Sequence, residues 1–304
     1  MTTFKGFAVL VLAATAASAP CAETHCPGNV ASVPFRLIMG HQIILPVTVN
    51  GSGPFNFLLD TGTQITMVDT SLAVQLHLET DGAAVVAGAG SRQSASLAKL
   101  GLLEAGAHSV ADSKALVYDL KPLQSADLQI QGVLGEDFLE HFDMLIDNAH
   151  NMLCLDDGGA MRAAVKGQRI PLVAGDDEAG DSLSHLLIVS VRLSDATRPV
   201  RLMLDTGANA PILYNTSQYL AVPLTQIKAL RGSSVDGKGR MFSALPPQDL
   251  KIASLTLPGV RFFSLGGVQR DAGKKGFDGV LTTGLFRRVF IDHVDHVAVL
   301  EPSE

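Results

Sequence analysis

Short apolar runs separated by turn-forming residues make up most of the chain. The runs at residues 41–49, 57–59, 185–193 and 202–204 are rich in Val, Ile, Leu and Phe. Gly, Pro, Asn and Asp lie between such runs, and 29 of the 304 residues are Gly. Short runs with these borders are typical of β-strands joined by tight turns. The pattern therefore predicts an all-β fold with only short helices.

Helical signals are confined to three brief segments. We expect helices at residues 70–76, 136–141 and 215–220. Asp69 and Asn215 stand at the start of the first and third, where a side-chain oxygen can accept a hydrogen bond from a free backbone N–H.

The second half of the chain repeats the first. Residues 131–155 and 278–300 share Gly-Val-Leu, an amphipathic turn of helix, an Ile-Asp pair and a final apolar strand. Corresponding features are offset by 145 or 147 residues, a drift that small loop insertions explain. Two repeats of this size predict two similar β lobes rather than a solenoid, which has shorter and more numerous repeats.

The repeat also sets the expected domain boundaries. The first lobe spans residues 34–157, the second spans residues 169–304, and residues 158–168 form the linker. Because the linker is short and the lobes are of similar size, we expect them to pair within one chain, which predicts a monomer.

The tripeptide Asp-Thr-Gly occurs at the corresponding place in each half. Asp60 and Asp205 both follow an apolar strand, and the duplication predicts that they meet face to face. Two adjacent carboxyl groups share one proton, so that one acts as a base and the other as an acid on a single water molecule. Such a pair can hydrolyse an amide bond without a metal ion or another cofactor.

The residues after each aspartate fit this role. Gly62 and Gly207 permit a tight turn and the close approach of the other loop. Thr61 and Thr206 can form hydrogen bonds across to the partner loop, which would hold the two carboxyl groups in one plane.

The two motifs differ in the residue that follows the glycine. Thr63 carries a hydroxyl that can donate a hydrogen bond to the neighbouring carboxylate, whereas Ala208 cannot. A donated hydrogen bond favours the charged form of a carboxylate. We therefore predict that Asp60 is the more readily ionised member and that the activity optimum is mildly acidic.

The charge of the chain argues against a nucleic-acid partner. The net charge is −7 without any basic run, whereas nucleic-acid binding needs clustered Lys and Arg.

His293 and His296 lie in a strand-like run, where their spacing places the two rings on opposite faces. We therefore expect surface or core histidines there and no metal site.

The N-terminus has the pattern of an export signal. Lys5 precedes an apolar stretch at residues 7–14 and small, Ala-rich residues at 13–19. The stretch is too short to span a membrane and is typical of a secretory signal peptide, so we interpret residues 1–22 as one. This predicts a periplasmic or secreted protein with no stable membrane span after cleavage.

Three cysteines, Cys21, Cys26 and Cys154, are present. Cys21 is disfavoured as a lipidation site because Pro20 stands where a small residue is expected. In an oxidising compartment one disulfide is possible, with one thiol left over. Cys154 lies in the apolar run Met-Leu-Cys-Leu, which favours a buried free thiol.

The two Asp-Thr-Gly loops, each followed by Gly-Val-Leu and a short helix, resemble the aspartic protease family. The compact, similar halves resemble its retropepsin-like (retroviral-type) branch, and the likeness covers both halves. It implies a two-lobed pepsin/retropepsin-like acid protease fold with Asp60 and Asp205 as the catalytic dyad. It also implies an aspartic endopeptidase without cofactors, which binds peptide or protein substrates in the cleft between the lobes.

The resemblance further implies a β-hairpin flap beyond each aspartate. The candidate tip of the first flap is formed by Gly88, Ala89 and Gly90, and that of the second by Gly237 and Gly239. Gly is favoured at hairpin tips whatever the function, so ordinary surface hairpins are equally compatible with these residues.

One departure from the family pattern lies in the second lobe. Gly135 completes the sequence apolar-apolar-Gly in the first lobe, but Thr282 stands at the matching position, with the glycine delayed to Gly284. This departure calls the packing behind Asp205 into question. It motivates an alternative, a catalytically inactive protein of the same fold that binds peptide or cell-wall polymer. Intact Asp-Thr-Gly loops in both halves favour the protease.

Overall fold

The computed structural model describes residues 25–88, 91–124, 128–173, 186–214, 216, 220, 229–233, 239–265 and 276–303. The predicted signal peptide, with Cys21, lies outside these residues. Strands dominate the described part of the chain, which confirms the expected all-β fold with short helices. None of the helices in the described ranges has the length and apolar character needed to cross a bilayer.

In chain order, the strands of the described residues are β1 Ser32–Pro34, β2 Arg36–Ile38, β3 Gln42–Val49, β4 Ser52–Leu59, β5 Met67–Asp69, β6 Thr80–Gly88, β7 Ser91–Ala105, β8 His108–Tyr118, β9 Gly132–Leu134, β10 Asp143–Asp147, β11 Met152–Asp156, β12 Ile170–Pro171, β13 Ile188–Leu193, β14 Val200–Asp205, β15 Ile212–Leu213, β16 Ala229–Ser233, β17 Gly239–Ala244, β18 Gln248–Ile252, β19 Leu255–Val260, β20 Phe263–Leu265, β21 Gly279–Thr282, β22 Phe286–Asp292 and β23 Val297–Pro302.

The strands form three sheets. The first lobe contains an eight-stranded sheet in the order β2-β3-β4-β9-β5-β8-β7-β6, and the second contains a nine-stranded sheet in the order β16-β17-β20-β15-β21-β14-β13-β18-β19. A third sheet, in the order β1-β11-β10-β22-β23-β12, takes strands from both halves. The antiparallel pairing of β10 with β22 therefore joins the lobes by backbone hydrogen bonds.

Both lobes arrange the strands around their Asp-Thr-Gly loop in the same way. In the first lobe β4 is parallel to β9, which is antiparallel to β5, which is parallel to β8. In the second lobe β14, β21, β15 and β20 repeat this order and these directions. The internal repeat of the sequence is thus a repeat of topology, and it places Asp60 and Asp205 at the ends of equivalent strands.

The repeated Gly-Val-Leu has a packing explanation. A Cβ atom on Gly132 would lie 2.2 Å from the ring of Phe57, and one on Gly279 would lie 2.1 Å from the carbonyl oxygen of Ile212. Both contacts are far shorter than atoms tolerate, so only glycine fits at the start of β9 and β21. The glycine that the two halves share is therefore required in each by a close neighbour, which is the Phe57 ring of β4 in the first lobe and the Ile212 carbonyl of β15 in the second.

Three α-helices occur among the described residues: α1 Thr70–Gln75, α2 Glu136–Leu139 and α3 Ala160–Ala164. Helix α1 is capped as expected, because Asp69 accepts a hydrogen bond from the backbone N of Ser71 at 2.9 Å. Helix α2 ends two residues earlier than the sequence predicted. The expected helix at 215–220 lies mostly outside the described residues, within which the N of Leu220 donates to the O of Thr216 at 2.8 Å.

Helix α3 lies inside the segment predicted to be a linker. The carboxylate of Asp156 caps it by accepting a hydrogen bond from the N of Met161 at 2.6 Å. Arg162 of this helix then forms ion pairs with Asp143 of the first lobe at 2.8 Å and with Asp292 of the second at 3.3 Å. This connection between the lobes is therefore a structured element that contacts both of them.

Two sequence-based expectations are wrong in the third sheet. Cys154 is not a free thiol but forms a disulfide with Cys26, which ties the segment before β1 to β11. Because the bond closes a loop of 128 residues, chain entropy predicts a stabilisation of about 4 to 5 kcal/mol. His293 and His296 do not lie in a strand, as the sequence predicted, but in a turn between β22 and β23. In this turn the carboxylate of Asp292 accepts a hydrogen bond from the N of Asp295 at 2.8 Å.

Candidate active site

The first Asp-Thr-Gly loop turns at the end of β4 and holds its aspartate at both oxygens. The Oδ1 of Asp60 accepts a hydrogen bond from the N of Gly62 at 2.8 Å. Its Oδ2 accepts one from the hydroxyl of Thr63 at 2.7 Å, which is the hydrogen bond that the sequence predicted. The side chain is only 9 % exposed. Two donors to one buried carboxyl group favour its ionised form.

The second loop holds its aspartate differently. The Oδ1 of Asp205 accepts from the N of Gly207 at 2.8 Å and from the N of Ala208 at 2.9 Å. The methyl group of Ala208 cannot donate to Oδ2 in the way that the Thr63 hydroxyl does in the first loop. The two carboxyl groups are therefore supported unequally, although the loops have the same backbone design.

The threonines of the two loops bind each other reciprocally. The N of Thr61 donates to the Oγ1 of Thr206 at 3.0 Å, and the N of Thr206 donates to the Oγ1 of Thr61 at 3.1 Å. The hydroxyl of Thr61 donates to the O of Leu204 at 2.9 Å, and that of Thr206 to the O of Leu59 at 2.7 Å. These four buried hydrogen bonds lock the lobes together directly behind the aspartates.

This interlock brings the two carboxyl groups into contact. A Cβ atom on Gly62 would lie 3.0 Å from the Oδ2 of Asp205, and one on Gly207 would lie 2.6 Å from the Cγ of Asp60. Each glycine thus lies against the aspartate of the opposite loop, where a larger residue would push the two acids apart. The structure therefore places the six loop residues and both aspartates in one cluster.

Burial and charge affect the pKa values of the two aspartates differently. Burial and the charge of Asp60 raise the pKa of Asp205 to about 8, from an ordinary value of 3.8. Burial also raises the pKa of Asp60, but hydrogen bonds from Thr63, Gly62 and the Asp205 carboxyl group oppose that rise. Below pH 8 the pair consequently holds at least one proton, which resides on Asp205 while Asp60 is the first to ionise.

The departure at Thr282 is accommodated by the second lobe. Thr282 pairs with Asp205 at the end of the parallel β14–β21 ladder, and its side chain is 2 % exposed. Its hydroxyl accepts a hydrogen bond from the N of Gly284 at 3.3 Å. The delayed Gly284 in turn makes room for His41 of the first lobe, whose Nδ1 would lie 2.3 Å from an added Cβ atom. Gly284 therefore allows His41 of the first lobe to pack against the second lobe.

Sequence reasoning missed several residues that support the loops. The Nε2 of Gln42, in the first lobe, donates to the O of Gly207 at 2.9 Å and so holds the loop of the second lobe. The carboxylate of Asp137 accepts from both the N and the hydroxyl of Thr66, at 2.8 and 2.7 Å. That hydroxyl in turn accepts a hydrogen bond from the N of Gly135. Gln42 and Asp137 lie far along the chain from the groups that they bind, so the sequence motif carried no signal for these contacts.

The flap candidates lie partly within the described residues. Strands β6 and β7 pair up to Gly88 and Ser91, so the first candidate tip stands at the end of a hairpin ladder. Strands β16 and β17 likewise pair from Ser233 to Gly239. Ala89, Gly90 and Gly237 lie outside the described residues.

The described part of the chain has no group of three His, Cys, Asp or Glu side chains placed as metal ligands would be. The chemistry available to the site is that of two adjacent, buried carboxyl groups that share a proton. Such a pair can polarise a carbonyl group and deprotonate a water molecule at the same time.

Part of the first lobe matches a known protein family. Residues 45–138 match the family model described as aspartyl protease. Among solved structures, the chain is similar to the crystal structure of a retropepsin-like aspartic protease from Rickettsia conorii, with 20 % identity over 41 % of this chain and 90 % of that chain and a TM-score of 0.32. No curated protein gives a significant match. The family match includes the first Asp-Thr-Gly loop, which the second lobe repeats.

Proposed function

We propose that this chain, whose residues 45–138 match the aspartyl protease family model, is a retropepsin-like aspartic endopeptidase in which Asp60 and Asp205 activate one water molecule. The observation that carries the proposal is the reciprocal interlock of Thr61 and Thr206. It holds two buried carboxyl groups in contact, and it comes from both lobes of one chain. A protein that only bound peptides would not need two acids held in this way.

The unequal support of the two acids assigns their roles. Asp60, which accepts hydrogen bonds at both oxygens, is the ionised base that takes a proton from water as the water oxygen attacks the peptide carbonyl carbon. Asp205 is the protonated acid that donates to the carbonyl oxygen. In the second step Asp60 returns its proton to the amide nitrogen, which leaves as an amine when the C–N bond breaks. At the same time Asp205 takes back a proton from a hydroxyl group of the tetrahedral intermediate as the C=O bond re-forms. The dyad ends with the single proton that it started with.

The proposed substrates are extended peptide segments bound in the cleft between the lobes by strand addition. The proposed setting is the periplasm or the outside of the cell, because residues 1–22 have the pattern of a signal peptide. The enzyme acts as a monomer without cofactors in this proposal, since one chain supplies both aspartates.

The test is cleavage of an unfolded peptide library by the purified mature chain from pH 3 to 10, with cut sites read by mass spectrometry. Cleavage at defined sites would support the endopeptidase and would reveal its specificity. If the wild-type chain binds library peptides but cuts none at any pH, the binding protein is the better description.

The pH dependence of kcat/KM should be bell-shaped. Activity falls on the acid side when Asp60 becomes protonated, and this limb lies above pH 3.8 because the pKa of Asp60 is raised. Activity falls on the alkaline side when the pair loses its shared proton, at about pH 8. The optimum thus lies between mildly acidic and neutral pH. A profile that peaks near pH 2 would contradict the assignment of the two acids.

A further inference from the structure

A buried Glu–His pair crosses between the lobes below the Asp60 loop. Glu136 is the first residue of α2 in the first lobe and is 1 % exposed, and His293 lies in the turn after β22 in the second lobe. The Nε2 of His293 lies 3.3 Å from the Oε2 of Glu136, and its Nδ1 lies 2.6 Å from the carbonyl O of Phe142. Both contacts of this imidazole therefore reach from the second lobe into the first.

The geometry fixes how many protons the pair holds. A carbonyl oxygen can only accept, so the Nδ1 of His293 must carry the hydrogen that Phe142 receives. The other nitrogen, Nε2, lies 3.3 Å from the carboxyl group, and within the described residues neither Nε2 nor either carboxyl oxygen of Glu136 has a hydrogen-bond partner. One proton between Nε2 and Oε2 satisfies both atoms. Without that proton, a buried carboxylate would face a lone pair.

The surroundings favour retention of this proton. Burial raises the pKa of Glu136, and the charges of Glu140 and Asp60 add to the rise while His293 opposes it. Burial alone would lower the pKa of His293, but the hydrogen bond and charge of Glu136 raise it overall, with a further contribution from Asp143. The groups around the pair are thus acidic, which disfavours a second negative charge there.

The pair is linked to the dyad through one residue. The backbone N of Glu136 donates to the O of Thr63 at 2.8 Å, and the hydroxyl of Thr63 donates to the Oδ2 of Asp60 at 2.7 Å. A displacement of α2 would therefore move the side chain that supports the proposed base.

We propose that Glu136 and His293 form a proton-sharing latch between the lobes, in which His293 is a positioning residue for the Asp60 loop. While the pair keeps its proton, His293 holds the start of α2, and Thr63 stays aligned with Asp60. The effect on catalysis rests on the proposed protease function, whereas the latch itself can be measured in a protein without activity.

The latch has a defined pH dependence. The pKa of His293 in the folded protein is raised above its ordinary value of 6.5. Its contribution to stability is therefore fully present below pH 6.5 and is lost as the pH rises through the raised pKa. In a Glu136→Gln variant the amide can donate to Nε2 at every pH, so this loss should disappear.

The first experiment measures the melting temperature from pH 5 to 9 for the wild type, Glu136→Gln, His293→Leu and the double variant. Between pH 6.5 and 9 the melting temperature of the wild type should fall more than that of Glu136→Gln. At pH 6, His293→Leu should melt about 5 to 10 °C below the wild type, because it leaves a buried carboxyl group unpaired. Adding Glu136→Gln to that variant should restore part of the loss. Parallel curves for the wild type and Glu136→Gln, or no restoration in the double variant, would overturn the latch.

A second readout observes the proton directly. Nitrogen NMR of histidine rings should show the Nδ1 of His293 protonated throughout, and its Nε2 should lose hydrogen only well above pH 6.5. In Glu136→Gln the same Nε2 should be unprotonated over the whole range. The opposite tautomer in the wild type would overturn the proposal.

Kinetic measurements distinguish a failure of the latch proposal from a failure of the protease proposal. His293→Leu should lower kcat about tenfold or more with little change in KM, because the misaligned loop affects the reacting groups rather than peptide binding. If the wild type cleaves nothing but shows the melting and NMR signatures, the protease proposal fails and the latch stands. If the wild type cleaves peptides and the signatures are absent, the latch fails alone.

Discussion

Replacing either Asp60 or Asp205 with Asn should lower kcat at least about 1000-fold, since each variant removes one of the two groups that move protons in the reaction. The exchange keeps the side-chain shape, and in Asp205→Asn the amide oxygen can still accept from Gly207 and Ala208 as the carboxylate does. The measurement is kcat on a peptide selected from the library, at the optimum pH of the wild type.

The two losses should not add. Because the dyad works as one unit, the double variant should be about as inactive as either single variant. Asp69→Asn is the matched control, since Asp69 is another buried aspartate, and its oxygens accept from the N of Ser71 and the N of Leu120 rather than from the dyad loops. The exchange keeps the helix cap and removes the hydrogen bond from Leu120, so it changes stability without touching the two Asp-Thr-Gly loops. Its kcat should remain near that of the wild type. Substantial activity in one of the two dyad variants would show that the reaction does not need both acids.

The same Asp205→Asn variant should be more stable than the wild type near neutral pH. The pKa of Asp205, about 8, means that at pH 7 the folded chain holds a proton that the unfolded chain releases near pH 3.8. The stability contributed by this group is therefore complete below pH 3.8 and declines as the pH rises towards 8. The variant should gain on the order of 1 to 4 kcal/mol at pH 7 and little at pH 4, as measured by urea unfolding.

The sequence alone was sufficient to identify the central part of the site. Asp60, Thr61 and Gly62 were identifiable because a tight loop after a strand depends on a few consecutive residues. The same loop repeated at Asp205 predicted that the two aspartates meet. The unequal support of the acids was also predictable, because Thr63 and Ala208 differ in one hydroxyl group that lies next to the carboxyl group in the chain.

Contacts between distant segments could not be predicted in this way. Gln42 supports the second loop across 165 residues, and Cys26 pairs with Cys154 across 128. No local periodicity records which distant side chain will meet such a residue. Glu136 is the instructive case, since a charged residue between an apolar strand and an apolar helix would have indicated a buried partner. Only the fold shows that this partner is His293.

The interlock of the two loops gives the second prediction. Thr206→Val keeps the shape of the side chain but removes a hydroxyl that accepts from the N of Thr61 and donates to the O of Leu59. Both partners stay buried, since Thr61 is 1 % and Leu59 0 % exposed. Leaving a buried donor and a buried acceptor without partners should lower the free energy of unfolding by about 2 to 5 kcal/mol. Urea unfolding measures this change.

The same substitution should lower kcat by about 100-fold, because a shift of about 1 Å between the two carboxyl groups disrupts the sharing of their proton. Thr206→Ser is the matched control, since it keeps the hydroxyl and both hydrogen bonds. Its kcat and stability should stay close to those of the wild type. By the symmetry of the contacts, Thr61→Val should have an effect of similar size on both quantities.

The other contacts between the two lobes determine which property the Thr206→Val variant should lose. The lobes are also joined by the β10–β22 ladder and by Arg162, which pairs with an aspartate of each lobe. A chain without the Thr206 hydroxyl should therefore still fold with paired lobes, and its proteolytic activity should suffer far more than its structure. If Thr206→Val instead keeps full activity at reduced stability, the interlock holds the lobes together without setting the distance between the two acids.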